Sequence, residues 1–157
     1  MRVLIQRVRE ASVTIEGELK GQIGYGYLLL TGFSNDDDEK IVREMSEKTV
    51  NLRICEDENH KMNRSLLDIQ GEILSISQFT LYADMRKGRR PSFTQAGEPG
   101  RSAELYDFFN RCLMEYGLNV EEGVFGADMK VGLINDGPVT IMLDSDIILK
   151  KQDKNGI

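Results

Sequence analysis

An apolar stripe in the last third of the sequence constrains the fold more than any other feature. Its members recur at helical spacing: Leu105, Phe108, Phe109, Cys112, Leu113 and Tyr116. Gly117 follows them and predicts the end of a helix. A helix with one apolar face must bury that face against another layer of structure. The chain therefore needs a second layer, and these aromatic side chains are predicted to be core rather than a cofactor site.

A second amphipathic helix is predicted earlier in the chain. Its apolar face would consist of Val42, Met45, Thr49 and Leu52. Ser34, followed by Asp37 three residues later, predicts the N-terminal cap of this helix.

The second layer is predicted to be a sheet of short strands. Strand-like segments cover residues 3–7, 11–24, 25–33, 52–56, 72–82, 119–125, 129–134 and 139–145. Residues 16–18 predict a hairpin turn, and breaks at Gly126 and at 135–138 separate the last three strands. The order predicts an α+β fold with a predominantly antiparallel, barrel-like sheet and two main helices. Residues 1–145 are predicted to form a single domain, and 146–157 a polar C-terminal tail.

Composition narrows the class of protein. The 157 residues carry a formal net charge of -6, with 40% hydrophobic and 29% charged residues, which is typical of a soluble globular domain. The N-terminus lacks the apolar run of about 7 residues or more that a signal peptide needs. Cys55 and Cys112 have no CxxC spacing, which favours free thiols in a reducing cytosol. We therefore expect a cytoplasmic protein without membrane association, and the acidic balance argues against DNA as a partner.

Several kinds of catalytic site are disfavoured. His60 is the single histidine and lies in the polar turn "DENHK", so a catalytic triad or a zinc site has little support. No phosphate-binding loop motif is present. We predict neither a metal nor another cofactor.

Two stretches remain as candidates. Ser77, Gln78 and Thr80 end an apolar run and could offer donors for a developing oxyanion, or could simply face water on a half-exposed strand. A basic run follows, which is either a solvated loop or a site for an anionic ligand: Arg86, Lys87, Arg89 and Arg90. The second stretch is the turn-like "NDGPVT" at 135–140.

Together these stretches resemble the D-aminoacyl-tRNA deacylase family. The similarity extends through "IQRV" at 5–8, "KMN" at 61–63, "SQFTLYAD" at 77–84, "RPSF" at 90–93, "FGADM" at 125–129 and "NDGPVT". It covers nearly the whole chain to about Ser145. The resemblance implies a β-barrel-like fold and a homodimer with active sites at the subunit interface.

The resemblance also implies roles for particular residues. Ser77, Gln78, Phe79 and Thr80 would form the catalytic pocket for the aminoacyl-adenosine end of tRNA. Gly137 and Pro138 would be a Gly-cisPro pair that reaches into the partner's site. The remaining pocket-side residues would be Phe125, Met129 and Arg7, of which Arg7 would help hold the Gly-Pro loop. The basic run would bind phosphates of the tRNA acceptor end.

Two mechanisms are open for such an enzyme. Thr80 would act as the nucleophile, or backbone groups and the ribose 2′-hydroxyl of the RNA would suffice, and the lack of a recognisable base for Thr80 favours the second. Rejection of L side chains by the Gly137–Pro138 segment would leave D-amino acids and glycine as substrates. The alternatives are a proofreading module like the N-terminal domain of archaeal threonyl-tRNA synthetases and a non-catalytic dimeric RNA-binding domain.

Overall fold

A computed structural model describes residues 1–149 of the protein. The strands are β1 (Arg2–Ile15), β2 (Glu18–Ile23), β3 (Gly26–Gly32), β4 (Cys55–Glu56), β5 (Met62–Arg64), β6 (Glu72–Ser77), β7 (Val120–Glu122) and β8 (Lys130–Asp144). The helices are α1 (Glu39–Asn51), α2 (Leu66–Ile69), α3 (Pro99–Met114) and α4 (Ser145–Ile148), and Phe79–Tyr82 form a 3₁₀ helix.

Strand β1 organises the main sheet. Its N-terminal half pairs with β3 and its C-terminal half with β2, while β8 runs along its other edge, and all three pairings are antiparallel. Strand β6 pairs with β3, and β7 with β6, both in parallel. The predicted α+β fold with a predominantly antiparallel, barrel-like sheet is confirmed, although these two parallel pairings make the sheet mixed.

Two apolar clusters stabilise this arrangement. The larger one packs α1 and α3 against the sheet through residues such as Val42, Leu105 and Phe109. The smaller one contains Val13, Leu28 and Leu74 from three strands. The stripe predicted on α3 is core at Leu105, Phe109 and Leu113, which are fully buried, whereas Tyr116 lies beyond the end of α3 at Met114 and is 39% exposed.

Four local predictions are wrong. The strand predicted over 3–7 and the first strand of the hairpin predicted over 11–24 are one continuous strand, β1. The N-cap of α1 is Asp38, whose side chain accepts from the Ile41 N–H, whereas the Asp37 carboxylate accepts from the backbone N–H of Ser34 ahead of the helix. The strand predicted over 72–82 ends at Ser77 and gives way to the 3₁₀ helix. The strands predicted over 129–134 and 139–145 belong to one long strand, β8. Turn-forming residues mark a bulge there rather than a break.

The end of the chain is described in part. Residues 145–148 form α4, and residues 150–157, which make up most of the predicted polar tail, lie outside the described residues. Among residues 1–149, no helix has the length and apolar character needed to cross a membrane.

Candidate active site

A cleft of about 540 Å³ lies where β3 and β6 end side by side. One side is formed by Thr31 to Phe33 at the end of β3 and by Gln78 and Phe79 after β6. The opposite side comprises residues from Phe93 to Ser102 at the start of α3, together with Phe125 and Gly126. Because β3 and β6 are parallel, their C-terminal ends reach the same edge of the sheet, where ligand sites commonly lie.

The end of β6 presents unpaired donors beside this cleft. The Gln78 N–H still donates to the Thr31 carbonyl at 2.7 Å. The next two N–H groups, of Phe79 and Thr80, have no acceptor within residues 1–149, because they begin the 3₁₀ helix. Two adjacent free N–H groups are the kind of donor pair that stabilises an oxyanion.

The Thr80 hydroxyl is exposed and accepts a hydrogen bond from the Gln78 side-chain amide. Within the described part of the chain, no carboxylate or imidazole contacts this hydroxyl. His60 lies in the β4–β5 hairpin, where its Nδ1 is 3.3 Å from a Glu56 carboxylate oxygen. The geometry therefore provides Thr80 with an amide donor but with no base.

Aromatic side chains line the cleft. The Phe79 ring is 57% exposed and meets the Phe93 ring edge-on, with centroids 4.9 Å apart. Phe125 packs on the opposite side against Tyr106, with centroids 6.2 Å apart. Exposed rings at the end of a cleft offer faces on which a nucleobase can stack.

The N-terminus of α3 closes one end of the cleft. The Glu98 carboxylate accepts from the N–H groups of Gly100 and Arg101, both at 2.8 Å, and these two bonds lower its pKa. The Glu98 N–H in turn donates to the Asn35 side chain at 2.8 Å. Sequence reasoning did not place Asn35 or Glu98 at the site, and the Glu-Pro-Gly start of α3 was the feature that could have indicated it.

Gly137 and Pro138 lie on a different surface of the same chain. Gln6 pairs with Thr140 and Val8 with Asn135, so residues 136–139 of β8 bulge opposite Arg7 alone. The peptide bond between Gly137 and Pro138 is cis, and both residues are exposed. Neither residue lines the cleft of its own protomer.

Arg7 supports this bulge from beneath. Its side chain is 2% exposed, and Nη1 donates to the Ile54 carbonyl at 2.7 Å. Its Nε lies 3.3 Å from an Asp136 carboxylate oxygen as an ion pair without hydrogen-bond geometry. Asn135 completes the support by donating to the Arg7 and Val139 carbonyls, both at 2.9 Å.

The structure places the other predicted residues as follows. Ser77 is half-buried and pairs with Thr31, which lines the cleft. Met129 packs against the smaller apolar cluster and does not line the cleft. The cleft thus brings together Gln78, Phe79 and Phe125.

The basic run forms an exposed loop held by the Asp84–Ser92 bridge. Arg86 makes a two-pronged contact with Asp84, at 2.9 and 2.7 Å, and this arginine lowers the pKa of Asp84 to about 2. Among residues 1–149, no carboxylate lies within ion-pair distance of Lys87, Arg89 or Arg90. Three of the four cations therefore have no carboxylate partner in the part of the chain that the structure describes.

Comparison with known proteins identifies the family of the chain. A sequence model of the family described as D-Tyr-tRNA(Tyr) deacylase matches residues 4–144. D-aminoacyl-tRNA deacylases of Bacillus cytotoxicus and Bacillus thuringiensis are 56% and 57% identical over 145 residues, covering 92% of this chain and 99% of each relative. The class is thus that of ester hydrolases acting on aminoacyl-tRNA.

Solved structures agree with this fold. A structure described as c-Myc DNA Unwinding Element Binding Protein has a TM-score of 0.87 at 42% identity, covering 92% of this chain and 99% of its own. A second structure, described as a probable eukaryotic D-amino acid tRNA deacylase, has a TM-score of 0.80 at 20% identity. The match covers 90% of this chain and 97% of that one, and it shows the fold alone. The chain belongs to the D-Tyr-tRNA(Tyr) deacylase family.

Proposed function

We propose that the cleft hydrolyses the ester between a D-amino acid and the 3′ end of tRNA, and that the products are a free D-amino acid and uncharged tRNA. The observation that carries this proposal is the pair of free N–H groups at Phe79 and Thr80 beside an aromatic cleft. Membership of the deacylase family supplies the substrate class.

In the proposed reaction, water attacks the ester carbonyl carbon and the carbonyl oxygen becomes an oxyanion. The free N–H groups of Phe79 and Thr80 donate to that oxyanion, the C–O bond to the ribose breaks, and the ribose 3′-oxygen takes a proton. An aminoacyl ester is reactive, and the adjacent 2′-hydroxyl can assist once the ester is positioned. Thr80 is assigned a positioning role because no base contacts its hydroxyl within residues 1–149.

We further propose a homodimer in which the Gly137–Pro138 segment of one subunit enters the cleft of the other. This segment is exposed and lies outside its own cleft. Exposed apolar side chains of β8, Leu133, Ile134 and Met142, suit a surface covered by a second copy. A two-fold axis would then complete both sites at once.

Chirality would be selected by exclusion. Arg7 and Asn135 hold Asp136 and Val139 on either side of the Gly137–Pro138 segment, so this segment can exclude an L side chain without contacting a D side chain. Glycine has no side chain to exclude, so glycyl-tRNA, including glycine mischarged on tRNA(Ala), would be hydrolysed.

The exposed cations of the basic loop are proposed to bind phosphates of the acceptor end, with Lys87, Arg89 and Arg90 as the principal contacts. Arg86 would contribute less because Asp84 already neutralises it. Charged tRNA is a cytosolic substrate, so the reaction is proposed for the cytoplasm.

A second candidate is nucleic-acid binding without turnover. It is favoured by one relative, 42% identical, which is described as binding a DNA unwinding element. The free N–H pair favours catalysis over this alternative, since binding alone does not require oxyanion donors.

The test is deacylation of four purified substrates by the unmutated protein, with tRNA binding measured separately. We expect hydrolysis of D-tyrosyl-tRNA and glycyl-tRNA, with L-tyrosyl-tRNA and L-alanyl-tRNA left intact. Binding of tRNA without release of D-tyrosine would favour the second candidate. Efficient cleavage of L-alanyl-tRNA would remove the exclusion mechanism.

A further inference from the structure

A buried polar cluster lies behind the cleft and is not used in the proposed reaction. Tyr106 of α3 is 2% exposed, and its hydroxyl donates to the Ser75 carbonyl at 2.7 Å. The Ser75 hydroxyl donates to the Asn110 side-chain oxygen. Burial raises the pKa of Tyr106, so the hydroxyl remains protonated and available as a donor.

This cluster connects the two sides of the cleft. The Ser75 carbonyl accepts a second hydrogen bond, from the Gly123 N–H at 3.1 Å. Ser75 lies two residues before Ser77 on β6, and Gly123 lies two residues before Phe125. The Tyr106 ring itself packs against Phe125, with an interplanar angle of 45°. One side chain therefore contacts β6, which leads into the 3₁₀ helix with the oxyanion donors, and the segment that carries the opposing aromatic ring.

We infer that Tyr106 is a positioning residue that sets the separation between Phe125 and the Gln78–Thr80 segment, and thereby the affinity for the aminoacyl-adenosine end. The inference rests on the proposed function and deepens it. The Tyr106 hydroxyl and the Gly123 N–H are both buried, and both donate to the Ser75 carbonyl. These two bonds form a rigid junction between α3, β6 and the segment that leads to Phe125. Removal of the tyrosine hydroxyl would leave the β6–β7 pairing and the Gly123 bond in place but would remove the link from α3 to their end.

If Tyr106 served only in core packing, loss of its hydroxyl would not alter the cleft. The chain offers a matched control for this distinction. Tyr27 is also fully buried on the main sheet, and its hydroxyl contacts the Leu52 carbonyl and the Cys55 sulfur at 3.4 and 3.5 Å. Tyr27 does not line the cleft, and neither of its hydroxyl contacts involves the 123–126 segment. Loss of either hydroxyl removes a buried hydrogen-bonding group, but only loss of the Tyr106 hydroxyl alters the cleft.

The experiment compares Tyr106→Phe with Tyr27→Phe in D-tyrosyl-tRNA deacylation, at a temperature well below both thermal unfolding midpoints. Because one neutral hydrogen bond changes an equilibrium by about two- to tenfold, we expect KM of Tyr106→Phe to rise about fivefold. Its kcat should stay within about twofold, since the oxyanion donors remain in place. Tyr27→Phe should retain both constants of the unmutated protein.

A second comparison separates positioning from general loosening. In a Phe125→Leu background the ring that Tyr106 supports is absent, so Tyr106→Phe should raise KM by less than in the unmutated background. An unchanged KM in Tyr106→Phe, an equal rise in Tyr27→Phe, or a loss confined to kcat would overturn the inference. Failure of the unmutated protein to release D-tyrosine would instead overturn the proposed function, so the two failures are distinguishable.

Discussion

The cleft and the Gly137–Pro138 bulge are opposite in shape and in the state of their polar groups. The cleft is concave and aromatic, and beside it the N–H groups of Phe79 and Thr80 have no acceptor among residues 1–149. The bulge protrudes from β8, and the residues beneath it are held by Arg7 and Asn135. Neither region forms part of the other within one protomer. This contrast is the basis of the proposal that one surface receives the substrate and the other is presented to a second copy of the chain.

The largest expected effect concerns the support of the bulge. Arg7→Ala would remove a buried guanidinium that contacts the Ile54 carbonyl and Asp136, and would lower the free energy of unfolding by about 3 kcal/mol. Arg9→Ala, on the exposed part of β1, should change it by less than about 0.5 kcal/mol. Urea unfolding of both variants measures the difference. Equal losses would show that Arg7 does not have the supporting role assigned to it.

The next effect concerns the cleft. Phe79→Ala should lower kcat/KM for D-tyrosyl-tRNA about tenfold or more, because stacking on an aromatic ring contributes about 1–3 kcal/mol per base. Its stability should change little, since the ring is 57% exposed. Leu19→Ala, at 59% exposure on β2, is the matched control and should leave activity unchanged. If both variants retain full activity, the cleft is not the substrate site.

A smaller effect concerns the selection between D- and L-aminoacyl-tRNA. A Cβ at Gly137 would lie 2.9 Å from Val139 Cγ2 and 3.0 Å from Arg7 Nη2, so Gly137→Ala would displace the bulge. We expect the L-to-D ratio of tyrosyl-tRNA hydrolysis to rise several-fold. Gly88→Ala is the control, because Gly88 also has a positive φ but has open space around its Cβ position. If the L-to-D ratio rises in both variants, or in neither, the bulge does not determine the selection between D- and L-amino acids.

The smallest effect concerns the basic loop beside the cleft. Substitution of Lys87, Arg89 or Arg90 by Ala should each reduce the slope of log K against log salt by about 0.7, the value for one phosphate contact on a single strand. Arg86→Ala should reduce it less, because Asp84 already pairs with Arg86. Binding of uncharged tRNA across a salt series measures the slopes. Equal slopes for all four variants would argue against distinct roles within the loop.

The local sequence pattern was sufficient to predict the two main helices and part of the site. The stripe from Leu105 to Tyr116 identified α3 because helical periodicity is visible without tertiary information. Gln78, Phe79 and Phe125 were placed near a site by motif similarity, and the cleft contains all three. Those motifs are contiguous in sequence, so each is recognisable by itself.

Long-range pairing was not predictable in the same way. The cleft exists because β3 and β6 pair in parallel across about forty residues, and nothing local in the sequence marks such a pairing. The role inferred for Tyr106 depends on Ser75, 31 residues away, and Tyr106 is not among the residues of the predicted apolar stripe. The "NDGP" segment was misread as a break because the same residues serve turns and bulges.

The most direct test of the central claim uses two variants mixed in one dimer population. Phe79→Ala would lower the activity of its own cleft about tenfold or more but keep an intact bulge, whereas Pro138→Gly would keep the cleft but weaken exclusion of L-amino acids. We would refold Pro138→Gly with an excess of Phe79→Ala and measure L-tyrosyl-tRNA against D-tyrosyl-tRNA hydrolysis. If the bulge acts on the partner's cleft, the L-to-D ratio falls towards that of the unmutated protein. If the ratio stays at the value of Pro138→Gly alone, each protomer excludes L-amino acids by itself and the cross-subunit site is contradicted.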